Sequence, residues 1–328
     1  MELNNKSLKF NLKNEKNKPL VTVFVWVYND ESYLKDCLES IIGQNTSFSV
    51  EIILHDDCSS DGTKSIIKHY ENKYPFLFNN ILQTENQWSQ GKSVMLPLYT
   101  KPRGKYVALM HGDDYWIDIN KLQKQFEFLE FNNDVVLCCA NSKVLTDSVL
   151  HEDNKINTYL NDTFLNTNNI LSDYIYNPIP TSTILLRKSV LEKINPNFID
   201  LFKIGDWPLL FEFSRFGKIY LNSEFLSVYR ISNKGAWSGS DNKLKLRNKM
   251  EFYFLIKINF PFYSDICDQQ IIKVIEEYRD LIANDWCLFF DKKLEDQYRL
   301  LNSRTYKIKN SSFLDLIKLI IHKILSVR

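Results

Sequence analysis

The sequence predicts an α/β fold: a mixed, mostly parallel sheet flanked by helices, with a functional rim at the carboxyl ends of its strands. Two observations predict it. Short apolar runs alternate with stretches of helical periodicity along the first 130 residues, and such alternation argues for crossover-connected parallel strands. Three of those runs also end in polar residues, most of them aspartates. Open α/β sheets collect ligands outside the carboxyl ends of their strands.

The first run, Val21 to Val27, leads into Tyr28-Asn29-Asp30. A helix follows, with Tyr33, Leu34, Cys37, Leu38, Ile41 and Ile42 on one face and Gly43 as its stop. The second run, Glu51 to Leu54, empties into His55-Asp56-Asp57-Cys58-Ser59-Ser60-Asp61-Gly62-Thr63, and a helical stretch with Ile66, Ile67 and Tyr70 comes next. The third, Tyr106 to Met110, is bounded by Gly104 and Gly112 and ends at Asp113-Asp114-Tyr115-Trp116. Two adjacent carboxylates repel unless a cation neutralises them, and hard ions such as Mg²⁺ and Mn²⁺ take oxygen ligands. A solvated Asp-Asp turn is the plain alternative at either strand end. Three polar strand ends on one rim, carrying Tyr28, Asp56, Asp57, Asp113 and Asp114, read as a site.

These motifs, in this order, resemble those of family 2 glycosyltransferases, inverting enzymes of the Rossmann-like GT-A fold that use nucleotide-diphosphate sugars. The resemblance runs on through Lys121 to Leu129, Ile179 to Lys188, Gly205-Asp206-Trp207-Pro208, Val228-Tyr229-Arg230 and Gly235 to Ser238. It covers residues 20 to 240 and fades beyond.

The resemblance implies a role for each matching position. Tyr28 lies against the nucleotide base, or is plain core packing. Asp57 accepts a hydrogen bond from a base N–H, as uracil offers, while Asp56 braces the loop; the two roles are exchangeable. Asp113 meets the ribose or the metal, and Asp114 is the direct ligand of Mn²⁺ or Mg²⁺. The cation stabilises charge on the departing diphosphate. Relatives carry an acidic residue where this chain has His111; with the pair intact, metal binding is expected to survive. Asp206 matches the aspartate that takes the proton of the acceptor hydroxyl; a structural helix cap is the alternative. Trp207 packs beneath the acceptor or lines its pocket. Lys92 and Arg230 pair with phosphate oxygens or are ordinary solvated cations. The segment Asn233 to Ser240 reads as a closing loop or as a linker between lobes.

Composition narrows the rest. A formal net charge of +1 over 328 residues gives no electrostatic case for nucleic acid, and 44% hydrophobic residues suffice for a core. Six cysteines show no ligand spacing, and a reducing, cytoplasmic setting is expected. The organisation reads as a polar segment 1–18, a catalytic domain 19–240 (nucleotide-sugar half 19–135, acceptor half 136–240) and a helical C-terminal region 241–328. There, Phe313 to Leu325 carries an apolar face with basic flanks. It is either an interfacial helix making peripheral contact with the inner face of the plasma membrane, or a helix docked on its own domain or on a second copy in a homo-oligomer.

The leading function is transfer of a hexosyl or N-acetylhexosaminyl group from a UDP-sugar to a hydroxyl of a glycan or lipid-linked acceptor, in bacterial surface polysaccharide synthesis. A silent scaffold on the same fold and a sugar nucleotidyltransferase are the alternatives. Tyr28-Asn29-Asp30-Glu31 lacks the Gly- and Arg-containing loop the latter needs. Four carboxylates held at one rim count against the former.

Overall fold

The computed structural model describes residues 18–153, 160–172, 177, 179–202, 205–231 and 239–278. The chain divides into two compact units, Met1–Ser240 and Asp241–Arg328. In the first, the elements run β1 (Val21–Val27), α1 (Leu34–Ile42), β2 (Val50–Asp56), α2 (Thr63–Lys73), β3 (Ile81–Leu82), α3 (Leu96–Thr100), β4 (Tyr106–His111), β5 (Tyr115–Trp116) and α4 (Lys121–Phe131). They continue with β6 (Val135–Thr146), β7 (Val149–His151), β8 (Thr163–Leu165), α5 (Thr167–Ser172), β9 (Leu185–Arg187), α6 (Lys188–Leu191), α7 (Pro196–Ile199), α8 (Asp206–Ser214) and β10 (Lys218–Ile231). The second unit holds α9 (Asn242–Asn259) and α10 (Ser264–Glu277).

The apolar runs become buried strands because both faces of the sheet are covered. Val21, Val23, Phe24, Val25, Ile52, Ile53 and Leu54 are all inaccessible to solvent, as expected where crossover helices pack on a parallel sheet. The strands follow the order β3-β2-β1-β4-β9-β6-β10-β5, with β7 on β6 and β8 on β10. Strands β3, β2, β1 and β4 are mutually parallel. Strand β9 runs antiparallel between β4 and β6, and β5 pairs antiparallel with β10. The sheet is therefore mixed and mostly parallel.

Register fixes the site. Val27 lies opposite Asp56, and Trp26 lies opposite both His55 and His111. The three predicted strand ends thus leave the sheet at the same level. Arg187, ending β9, locks the far side: its guanidinium donates to the carbonyls of Val135, Leu129 and Asn132 and to the Tyr106 hydroxyl.

Lys121 opens α4 and is fully buried. Burial pushes its ammonium down to about 7, against the weaker opposing pull of Cys138, Cys139 and Asp118. In the unfolded chain the group titrates near ~10.4. Between those values the unfolded chain binds more protons, so this group makes stability rise with pH from about 7 to about 10. Relative to Lys121→Met, the wild type is expected to gain on the order of a few kcal/mol across that window, read from denaturant midpoints at each pH.

Candidate functional site

Two rim loops are stitched together before any ligand is considered. Asn29 and Cys58 adopt left-handed backbone, at φ 55° and 62°, which turns each chain sharply off its strand. The Asn29 amide donates to Ser59 Oγ at 2.8 Å, and its side-chain oxygen accepts from the Ser60 amide at 2.8 Å. Glu31 and Asp61 complete the seam: the Glu31 amide donates to Asp61, and the Gly62 amide donates to Glu31. Buried Asp56 accepts from both the amide and the hydroxyl of Ser59. Against this frame Tyr28 is half exposed, at 52%, at the end of β1. Its ring is accessible and is not part of the core.

Asp57 is buried, and each carboxylate oxygen holds a backbone amide: Oδ1 accepts from Gln87 at 2.7 Å and Oδ2 from Trp88 at 3.0 Å. The Asn86 amide side chain donates to the Asp57 carbonyl. Asp57 thereby fixes the turn that carries Gly91, at φ 69°, and the exposed Lys92. Lys92 lies 3.6 Å from Glu85, and its amide donates to the Gln87 carbonyl. Both aspartates of the second strand end are thus loop braces here.

At the third strand end the two carboxylates part company. Asp114 is 1% exposed, and its Oδ1 accepts the backbone amide of Arg230 at 2.9 Å. Burial, reinforced by the charge of Asp113, raises its carboxyl well above the usual range, while Arg230 pulls the other way. Asp113 sits partly exposed at the rim. Arg230 is itself buried, with its guanidinium 4.9 Å and 4.8 Å from the ring centres of Tyr33 and Tyr115. It pairs with Asp36 and donates to the Asp113 carbonyl at 3.0 Å. His111 is exposed and stacks on Trp26.

Asp30 joins this corner. Its carboxylate accepts the Tyr28 amide at 3.0 Å, and a side chain at Gly112 would meet its Oδ2 at 2.4 Å. Burial first, and the charge of Asp113 second, push Asp30 up to about 8. Asp30 and Asp113 offer hard oxygen donors here, and like-charge crowding between them is of the kind a divalent cation relieves. Among the described residues no three His, Cys, Asp or Glu side chains converge on one point.

Asp206 is the first residue of α8, with Gly205 as the cap. Its carboxylate reaches outside the helix: Oδ2 accepts from Asn177 Nδ2 at 2.7 Å and from Thr181 Oγ1 at 3.2 Å. Oδ1 accepts the Trp207 amide at 2.8 Å. Asp206 therefore does not occupy the capping position its sequence suggests. Trp207 is buried. A single turn joins this group to the carboxylate corner, since Thr181 bonds Asp206 and the adjacent Ser182 lies beside Asp114. The segment after Lys92 also reaches over: Ser93 donates to Asp200, and a side chain at Gly205 would come within 2.9 Å of Met95.

Tyr28, Asp57, Asp113 and Asp114 share one rim, Arg230 underlies it, and Asp206 is joined to it through Thr181 and Ser182. The expected closing loop Asn233 to Ser240 lies outside the described residues except at its last two positions, and the helix Phe313 to Leu325 lies wholly outside them. Sequence reasoning gave no role to Asp30, Asp36, Asn177 or Thr181. Only Asp30 carried a signal, as a third acid beside a strand end.

The sequence model of glycosyl transferase family 2 matches residues 22–194. An uncharacterized protein of Mycobacterium bovis is 30% identical over 222 residues, covering 64% of this chain and 58% of its own length. A Bacillus subtilis protein named as a teichuronic acid biosynthesis glycosyltransferase, TuaG, is 34% identical over 112 residues, 34% of this chain and 42% of its own. The chain thus spans about half the length of these curated relatives. Two solved structures share the fold: Staphylococcus aureus TarS with UDP-GlcNAc has a TM-score of 0.57 at 16% identity, covering 93% of this chain and 83% of its own. The Pyrobaculum calidifontis mannosyltransferase PcManGT, with GDP-Man and Mn²⁺, has a TM-score of 0.57 at 14% identity, covering 95% and 89%.

Because Asp57 braces two backbone amides, Asp57→Ala is expected to lower ligand-free stability by about 2 kcal/mol. Chemical denaturation reads this; a carboxylate that served ligand alone would leave the ligand-free midpoint unmoved.

Proposed function

The chain belongs to glycosyl transferase family 2, and we propose that it moves a sugar from a nucleoside-diphosphate donor, a UDP-sugar, to a hydroxyl of a glycan acceptor, with inversion at the anomeric carbon. The observation that carries this reading is the meeting of three parallel strand ends at one rim, with Asp206 tethered to the same corner through Thr181. The name of TuaG supports a setting in surface polysaccharide synthesis. Free cysteines among the described residues support a reducing, cytoplasmic compartment. Among the described residues no helix is long and apolar enough to cross a membrane.

Each residue has a definite task. Tyr28 offers an accessible aromatic face to the base. Asp57 holds the loop that carries Lys92, and accepts in addition from a base N–H when the nucleotide binds. Asp113, with Asp30 beside it, would hold Mn²⁺ or Mg²⁺; Asp114, the direct ligand expected from the sequence, is buried on the Arg230 amide and is given the part of anchoring β10 instead. The bound cation supplies Lewis-acid stabilisation of charge on the diphosphate. Arg230, already sandwiched by two tyrosines, holds the Asp113 turn and takes a positioning part in donor binding. Asp206 accepts the acceptor's hydroxyl proton as that oxygen attacks. Asn177 and Thr181 donate to Oδ2, orienting the carboxylate.

A thermal-shift panel of nucleotides and nucleotide sugars tests the donor side. UDP or a UDP-sugar is expected to raise the melting temperature by several degrees with Mn²⁺ and to lose that effect in EDTA. Preference for GDP overturns the donor base, and no binding at all overturns the transfer reading. Asp206→Asn is expected to slow transfer about 100- to 10,000-fold while UDP affinity stays unchanged; wild-type turnover contradicts the base assignment.

A further inference from the structure

Beneath the turn Thr181–Thr183 lies a buried polar group that none of the roles above uses. Trp116 Nε1 donates to the Ser182 carbonyl at 2.7 Å. Gln125 Nε2 donates to the Thr183 carbonyl at 2.8 Å. Lys121 Nζ donates to Gln125 Oε1 at 2.8 Å and lies 4.3 Å from the centre of the Trp116 ring. Trp116, Lys121, Gln125, Ser182 and Thr183 are all buried.

Apolar side chains of the same size would fill this space without the desolvation that an amine and an amide incur. What the polar set adds is direction. A glutamine amide has an accepting end and a donating end. With Lys121 donating to the oxygen, the nitrogen is left to face Thr183, so a single orientation is selected. Trp116 bears on the next peptide of the same turn, and Lys121 touches both neighbours. Lys121 and Gln125 are four residues apart in α4, which puts them on one helical face. Its low affinity for a proton lets the Lys121 amine sit in this dry interior.

We propose that Lys121, Trp116 and Gln125 are positioning residues for catalysis, a buried clamp that sets the Thr181–Thr183 turn so that the Thr181 hydroxyl aims the Asp206 carboxylate. The clamp rests on the reading of Asp206 as general base. It touches neither substrate nor reacting atoms; it acts on the acceptor side through Thr181.

The test uses the full chain with Gln125→Met, Gln125→Glu and Trp116→Phe. Gln125→Glu keeps an acceptor for Lys121 and removes the donor to Thr183; Trp116→Phe keeps the ring and removes the indole N–H. Hydrogen exchange followed by mass spectrometry reads the segments around 179–186 and 205–209 against those around 28–31 and 57–62. Steady-state UDP release from UDP-GlcNAc and UDP-glucose reads turnover, and calorimetry with UDP and Mn²⁺ reads donor-side binding. Exchange of the two acceptor-side segments is expected to quicken about tenfold in all three variants, with the rim unchanged. Turnover is expected to fall about 10- to 100-fold through kcat, the scale of a small misplacement of a reacting group, with donor KM and UDP affinity within about twofold. Unchanged exchange at 179–186, or loosening spread equally over rim and turn, overturns the clamp. Asp206→Asn separates the two ideas: if it keeps turnover, the base reading falls, while exchange at the turn still decides whether the clamp exists.

Discussion

Crowding of like charge at one sheet rim is the constraint on which the rest of this structure depends. Parallel register brings the ends of β1, β2 and β4 level, and with them Asp30, Asp56, Asp57, Asp61, Asp113 and Asp114. Carboxylates so close cannot all stay charged without compensation. The chain compensates them by different means. Asp56, Asp57 and Asp61 accept backbone amides of the loops they shape. Asp114 is buried on the Arg230 amide. Asp30 is pushed toward its neutral form. Asp113 remains at the rim, partly exposed, and is the group left to meet a cation and a diphosphate.

Arg230 links those solutions. It comes from the last strand of the unit, over a hundred residues after the carboxylate pair, yet binds both members: its amide holds Asp114 and its guanidinium holds the Asp113 carbonyl. Stacking between Tyr33 and Tyr115 and pairing with Asp36 keep the side chain in one place. The geometry of the rim is thus set by contacts between segments far apart in sequence, which suits a site that must be rigid before substrate arrives.

That distance also explains what the sequence could and could not reveal. The fold was legible because β1 and β4 are continuous apolar runs with glycine or polar stops, and because helical periodicity separates β1 from β2. Val21–Val27 was legible to the residue. The antiparallel insertion of β9 was not, because a three-residue strand carries no periodic signal. The position of each aspartate could be read, but not its partners. Asp206 reads locally as a helix cap, yet Gly205 holds that place and the carboxylate turns to Asn177 and Thr181, residues no local pattern connects to it. Nothing local in the sequence marks Lys121 for burial; the packing of Trp116 and Gln125 around it makes it a buried amine.

The division of labour between Asp113 and Asp114 is tested most directly by anomalous diffraction at the manganese edge from crystals grown with UDP and Mn²⁺. The expected map has one manganese peak bonded to the Asp113 carboxylate and to diphosphate oxygens, with Asp114 Oδ1 still accepting the Arg230 amide. A peak bonded to Asp114 with Asp113 turned to solvent, or no peak at this rim, would contradict it.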